Sequence, residues 1–121
     1  MLIADDSEAI VDRLSAMLAE MVGIDLVGRA TTVGDASRCI RELEPDVVIL
    51  DLQMPGGSGL DVLAGLRKDR LSPVVIVLTN HPHAQYRDRC LQDGARFFLD
   101  KSTEFGKVVE ILGGLRDEAP E

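Results

Sequence analysis

Apolar residues follow two alternating rhythms along this chain. Short unbroken runs, Leu2-Ile3-Ala4, Val47-Val48-Ile49-Leu50 and Val74-Val75-Ile76-Val77-Leu78, are separated by longer stretches in which apolar positions recur at helical spacing. Unbroken runs mark strands buried on both faces, whereas the 3.6-residue rhythm marks helices with one apolar stripe. The first helix places Ile10, Val11, Leu14, Met17, Leu18 and Met21 on its stripe, with Ser7 as N-cap and Gly23 closing it. Thr32-Val-Gly-Asp35 and Ser58-Gly-Leu-Asp61 both fit the capping box, in which side chain and backbone bond reciprocally. The first opens a helix to about Leu43. The second opens one with Leu60, Leu63 and Leu66 on one side. Ile24 to Ala30 and Ala95 to Leu99 read as the second and fifth strands. Residues 84–93, AQYRDRCLQD, read as a nearly all-polar fourth helix ended by Gly94, anchored by Ala84, Cys90 and Leu91 and so the least firmly packed. Phe105, Val108, Val109 and Leu112 mark the last helix.

Strand and helix thus alternate five times. Aliphatic strands of this kind need helices on both faces of a parallel sheet, so the expected fold is a doubly wound, five-stranded α/β sandwich with five helices. Only Met1 precedes Leu2, which predicts a short first strand, frayed or lacking residues upstream. The length suits a single core, with residues 1–116 as the domain and 117–121 as a flexible tail or the start of a linker. Aromatics are 3% of the chain, so the core must be aliphatic.

No apolar run approaches the roughly 18 residues that span a bilayer, and MLIADDSEAI lacks the basic start of a secretory signal. A cytoplasmic protein without a membrane partner is expected. The formal charge of −8 and the absence of a Lys/Arg cluster argue against direct nucleic-acid binding. Cys39 and Cys90 lack metal-ligand spacing and read as plain thiols, and His81-Pro-His83 reads as a loop.

In open α/β sheets, ligands bind beyond the carboxyl ends of the strands. Asp5 and Asp6 follow the first strand, Asp51 the third, Thr79 the fourth, and Asp100 and Lys101 the fifth. Clustered carboxylates repel, so a proton or a cation must neutralise them. Hard oxygen donors suit Mg²⁺, and a neighbouring lysine offers a point charge to an oxyanion. Asp51, a bare acid at the exit of a fully apolar run, is therefore placed as a nucleophile toward phosphorus. Each residue alone has a plainer reading as a turn former or a solvated charge. Their joint placement at one sheet edge carries the functional one.

With these residues in place, the whole chain resembles a response-regulator receiver domain of two-component signalling, of the CheY-like superfamily. The resemblance rests on Asp5-Asp6, DLQMPGGSG, LTN after the fourth strand and FFLDKS around the lysine. It implies a flavodoxin-like (βα)5 fold with strand order 2-1-3-4-5. It implies a signalling phosphoacceptor that assists its own phosphorylation and dephosphorylation, not a turnover enzyme. Asp51 would accept a phosphoryl group from the phosphohistidine of a sensor histidine kinase or a histidine phosphotransfer protein. Asp6, Asp51 and the Gln53 backbone carbonyl would ligate Mg²⁺ or Mn²⁺, with Asp5 acting through a coordinated water. Thr79, Lys101 and the backbone amides of Leu52 and Asn80 would bind phosphoryl oxygens. Thr79 and Phe98 would form the switch, reshaping the face of the fourth helix, fifth strand and fifth helix for a downstream protein, and two copies would pair on phosphorylation.

The chain also departs from the family pattern. Ser102 replaces the usual proline after the lysine, so a trans peptide is expected there, with Ser102 free to cap the last helix. Phe98 lacks the hydroxyl of the common tyrosine, which favours the inward rotamer. Asn80 is bulkier than usual, and Gln53 and His81 stand at the rim of the site. A haloacid-dehalogenase-type phosphohydrolase would need an acid where Gln53 stands. A nucleotide-binding module would need a glycine fingerprint after the first strand. The expected form is a stand-alone receiver. The alternatives are the N-terminal receiver of a DNA-binding regulator, suggested by Val27-Gly28-Arg29-Ala30, and a docking receiver that is not phosphorylated.

Overall fold

The computed structural model describes residues 1–80 and 82–118. Strands β1 (Leu2–Ala4), β2 (Gly28–Ala30), β3 (Val47–Leu50), β4 (Val74–Thr79) and β5 (Phe97–Asp100) alternate with helices α1 (Glu8–Ala19), α2 (Val33–Leu43), α3 (Gly59–Lys68), α4 (Ala84–Gln92) and α5 (Lys107–Glu118). The strands form one parallel sheet in the order β2-β1-β3-β4-β5, the expected topology. Gln53–Met54 and Gly57–Ser58 add a small antiparallel ladder between β3 and α3.

The pleat sends alternate strand residues to opposite layers. Leu2, Ala4, Val48, Leu50, Val75 and Val77 pack against α2, α3 and α4. Ile3, Ile49, Ile76, Leu78 and Leu99 pack against α1 and α5. Each fully buried aliphatic side chain stabilises the fold by about 1.5–3 kcal/mol. This double coverage is why the runs carry no polar residue.

The N-termini of α1, α2 and α3 are capped as expected, by Ser7, Thr32 and Ser58. Ser58 and Asp61 form the full reciprocal box, while Asp35 instead pairs with Arg38 at 3.2 Å. Strand boundaries differ from expectation at the sheet edges. β2 has only β1 as neighbour, and β1 is three residues long, so Ile24 to Val27 stay outside the strand, with Val27 N–H reaching the Met1 carbonyl (2.8 Å) and the Asp25 carbonyl accepting from the Met1 amino group (2.8 Å). β1 itself is not a frayed edge, because all three residues pair with β2 on one side and β3 on the other. β5 starts at Phe97, because the Ala95 amide is taken by the Cys90 carbonyl at the end of α4, at 2.9 Å.

Helix α5 begins at Lys107, not at Ser102. Ser102 donates its N–H to Asp100 Oδ1 (2.8 Å) within a tight turn, and the first amides of α5 bond back to Glu104 and Phe105. Asp117 and Glu118 continue α5, and the remainder of the expected tail, 119–121, lies outside the described residues. In α4 only Cys90 is buried, with Tyr86 half-buried against the same core layer; Ala84 and Leu91 are exposed and are not the anchors expected. No helix among the described residues is long and apolar enough to cross a membrane.

Candidate functional site at the carboxyl edge of the sheet

Backbone hydrogen bonds that extend the parallel ladder pin Asp5, Asp51 and Lys101. Asp5 donates its N–H to Ala30 at the end of β2, and Asp51 donates its N–H to Ala4 at the end of β1, both at 2.9 Å. Lys101 donates its backbone N–H to Thr79 across the β4–β5 boundary, also at 2.9 Å. The sheet therefore delivers Asp5, Asp51, Thr79 and Lys101 to one edge, and all four are buried. Asp6 is exposed beside them.

Lys101 Nζ lies 2.7 Å from Asp5 Oδ2 and 3.2 Å from Asp51 Oδ2. The remaining oxygens are also held: Ser7 N–H donates to Asp5 Oδ1 (2.9 Å), and Gln53 N–H donates to Asp51 Oδ1 (3.3 Å). One carboxylate oxygen from each of Asp5, Asp6 and Asp51 lies within 4.8 Å of the other two. Burial, then the charge of Asp5, pushes the Asp51 carboxyl above its usual range; Lys101 and the Gln53 amide only partly oppose this. Three acids thus face one ammonium, an arrangement short of positive charge. An all-oxygen donor set with excess negative charge fits a hard divalent cation such as Mg²⁺ or Mn²⁺.

Glycine enables the tight turn behind Asp51. A Cβ on Gly59 would lie 2.6 Å from the Asp51 carbonyl oxygen, and Gly59 N–H donates to Leu52 (2.9 Å). Gly57 adopts φ +145°, and a Cβ there would meet Asp61 Oδ2 at 2.5 Å, displacing the capping carboxylate. The turn therefore closes onto α3 only with small residues.

The description "Response regulator receiver domain" belongs to a family model that matches residues 1–113. The chain belongs to this family. A putative transcriptional regulator of Pseudomonas aeruginosa is 38% identical over 109 residues, which are 89% of this chain and 52% of that protein. The chain spans about half the length of the curated relatives it matches. The receiver domain of the putative regulator NarL from Mycobacterium tuberculosis superposes with a TM-score of 0.87 at 26% identity, covering 98% of this chain and 95% of that one. A chain of the CheX-CheY-BeF3-Mg²⁺ complex from Borrelia burgdorferi superposes with a TM-score of 0.85 at 26% identity, covering 94% of this chain and 86% of that one.

The receiver places the other expected residues as follows. Thr79 is fully buried at the end of β4, and Asn80 is exposed just beyond it. Leu52 is buried, and the Gln53 side chain is exposed in the small ladder. Phe98 is half-buried and packs on the core layer that includes Cys90. His81 lies outside the described residues. No cis peptide occurs among the described residues, so Lys101-Ser102 is trans, as expected from Ser102. Beside Asp6 opens a cleft of about 520 Å³, lined by Leu52, Gln53, Ser58 and Tyr86 among others. Tyr86 was not foreseen at the site, because it arrives from α4, with its ring 5.8 Å from that of His83. Gly59 closes the DLQMPGGSG motif, and the structure supplies its physical reason, a backbone contact that leaves no room for a side chain.

Proposed function

We propose that this receiver takes a phosphoryl group from the phosphohistidine of a sensor kinase or histidine phosphotransfer protein onto Asp51. The observation that carries the reading is the buried Asp51 carboxylate, 3.2 Å from Lys101 and clustered with Asp5 and Asp6. Asp51 would attack phosphorus with one carboxylate oxygen as the P–N bond of the donor breaks, the electron pair leaving with the imidazole. Lys101 Nζ, already beside Asp51, would meet an equatorial phosphoryl oxygen, and Thr79, with the backbone amides of Leu52 and Asn80, would meet others. Asp6, Asp51 and the Gln53 carbonyl, with Asp5 through a water, would hold Mg²⁺ or Mn²⁺. When bound, the ion supplies neutralisation of the charge that accumulates between acceptor and phosphoryl group. The chain's own contribution is position, because the acceptor, ammonium and hydroxyl are fixed by the sheet before a donor arrives.

Thr79 and Phe98 would then couple phosphorylation to the α4–β5–α5 face, which a downstream protein reads as a stand-alone receiver docks, with pairing of two phosphorylated copies as a further consequence. A second reading has its own support in the half-length match to longer regulators: an N-terminal receiver whose effector lies in the same polypeptide. An immunoblot of the native protein separates the two, since a band near 13.1 kDa supports the stand-alone form and one near twice that size supports the longer regulator.

Intact-mass spectrometry with Mg²⁺ and acetyl phosphate tests the acceptor. One added phosphoryl group, absent in Asp51→Asn and in EDTA, is expected. Uptake retained by Asp51→Asn would refute the assignment.

A further inference from the structure

The loop that carries Lys101 is closed by side-chain bonds that converge on Glu104. Asp100, the last residue of β5, donates its N–H to Glu104 Oε1 (3.1 Å), and Glu104 donates its own N–H back to the Asp100 carbonyl (2.8 Å). Asp100 Oδ1 in turn accepts from Ser102 N–H (2.8 Å). The residues immediately before and after Lys101 are therefore tied to one another. Glu104 Oε2 is braced from the far side by Lys107 Nζ at the start of α5 (2.7 Å). The hydrogen bond from Lys107, then that from the Asp100 amide, holds the Glu104 carboxyl below its usual range, and the charge of Arg87 on α4 acts in the same sense. Beyond Glu104, Phe105 is buried with the Arg13 guanidinium 4.1 Å over its ring, which anchors the end of the loop.

None of these bonds touches the reacting groups, yet they fix the backbone from which Lys101 springs. A lysine side chain has about 2 kcal/mol of rotamer freedom, so its ammonium stays between two acids only if its base is rigid. Ser102 leaves the peptide after Lys101 without a ring to restrain it. Asp100 and Glu104 supply that restraint by hydrogen bonds instead.

We propose that Glu104, acting through Asp100, is a positioning residue that fixes Lys101 for phosphoryl uptake at Asp51. The inference rests on the phosphoacceptor reading above. Glu104→Gln keeps an oxygen that can accept from the Asp100 amide, whereas Glu104→Ala removes the acceptor.

The test is the initial rate of phosphoryl uptake from acetyl phosphate at saturating Mg²⁺, read by intact mass, with Mg²⁺ affinity from calorimetry and the melting temperature taken in parallel. Glu104→Ala is expected to slow uptake about tenfold or more, the scale on which misplaced catalytic groups cost rate. Its Mg²⁺ affinity should be unchanged, and Glu104→Gln should recover most of the rate. A purely structural glutamate would lower the melting temperature without this split between rate and metal affinity. Should Glu104→Ala fail to fold, Glu104→Asp, one methylene too short for the bond, carries the same test. A wild-type rate in the shortened or truncated variant, with the parent chain active, overturns the positioning role alone. A parent chain that adds no phosphoryl group overturns both readings.

Discussion

Asp51→Asn should make the metal-free receiver more stable, although it removes one partner of an ion pair. At an effective dielectric constant of about 20, the 3.2 Å contact with Lys101 is worth about 5 kcal/mol of attraction. The same estimate for buried Asp5, with an oxygen within 4.8 Å, gives about 3.5 kcal/mol of repulsion, while exposed Asp6 is screened by solvent and adds little. Desolvation of a carboxylate that is 6% exposed, the largest effect, costs several kcal/mol more and leaves the ionised acid a net cost of about 2 kcal/mol. The sign agrees with the raised Asp51 pKa. A carboxyl whose folded pKa exceeds its unfolded value favours the fold when protonated, and that advantage is lost as pH rises through the folded pKa. At neutral pH the ionised acid is therefore a cost, and asparagine lifts it. For a domain of this size about 2 kcal/mol corresponds to a rise of about 8 °C in melting temperature. Scanning calorimetry in EDTA at pH 7 and low salt measures it. Lys101→Met is the counterpart, since it leaves three acids unopposed and should destabilise by about 3–5 kcal/mol. An Asp51→Asn variant that melts at or below the parent temperature would refute the charge reasoning.

Three further outcomes follow from the same geometry. Mg²⁺ at a hundredfold excess over its dissociation constant should stabilise the parent by about 2.7 kcal/mol in urea titrations, and Asp6→Asn should lose most of that gain, with the metal-free stability little reduced. Gly59→Ala forces a methyl to 2.6 Å from the Asp51 carbonyl and should cost about 1–3 kcal/mol, again read by urea unfolding. Burial raises the Cys90 thiol from its ordinary 9.0 to about 11, so the unfolded chain ionises first. Stability should therefore fall as pH rises from 9 towards 11, a slope that Cys90→Ala removes, and Cys39 should react with Ellman's reagent before Cys90 at pH 8.

The three central strands were legible because burial on both faces leaves an unbroken aliphatic signature, and the site acids were legible because each directly follows such a strand. β2 and β5 were misjudged by several residues because their limits are set elsewhere. β2 can be no longer than its neighbour β1, and β5 yields Ala95 to the turn that ends α4. Ser102 looked like a helix cap from composition alone, but the hydrogen bonds that claim it belong to Asp100. Glu104 and Tyr86 stayed hidden for a common reason. Their importance arises from contacts made when the chain closes on itself, and the Glu104–Lys107 spacing was the only local hint of either.

Helix α4 begins without a side-chain cap at His83, and Cys90 is its one buried residue. Its amides should therefore exchange with solvent through local openings that leave the rest of the sheet intact. A protein that grips α4 would spend part of its binding free energy on ordering a segment that is folded only part of the time. Affinity for that face is then set partly by the population of folded α4, and substitutions far from any contact can tune it by changing that population.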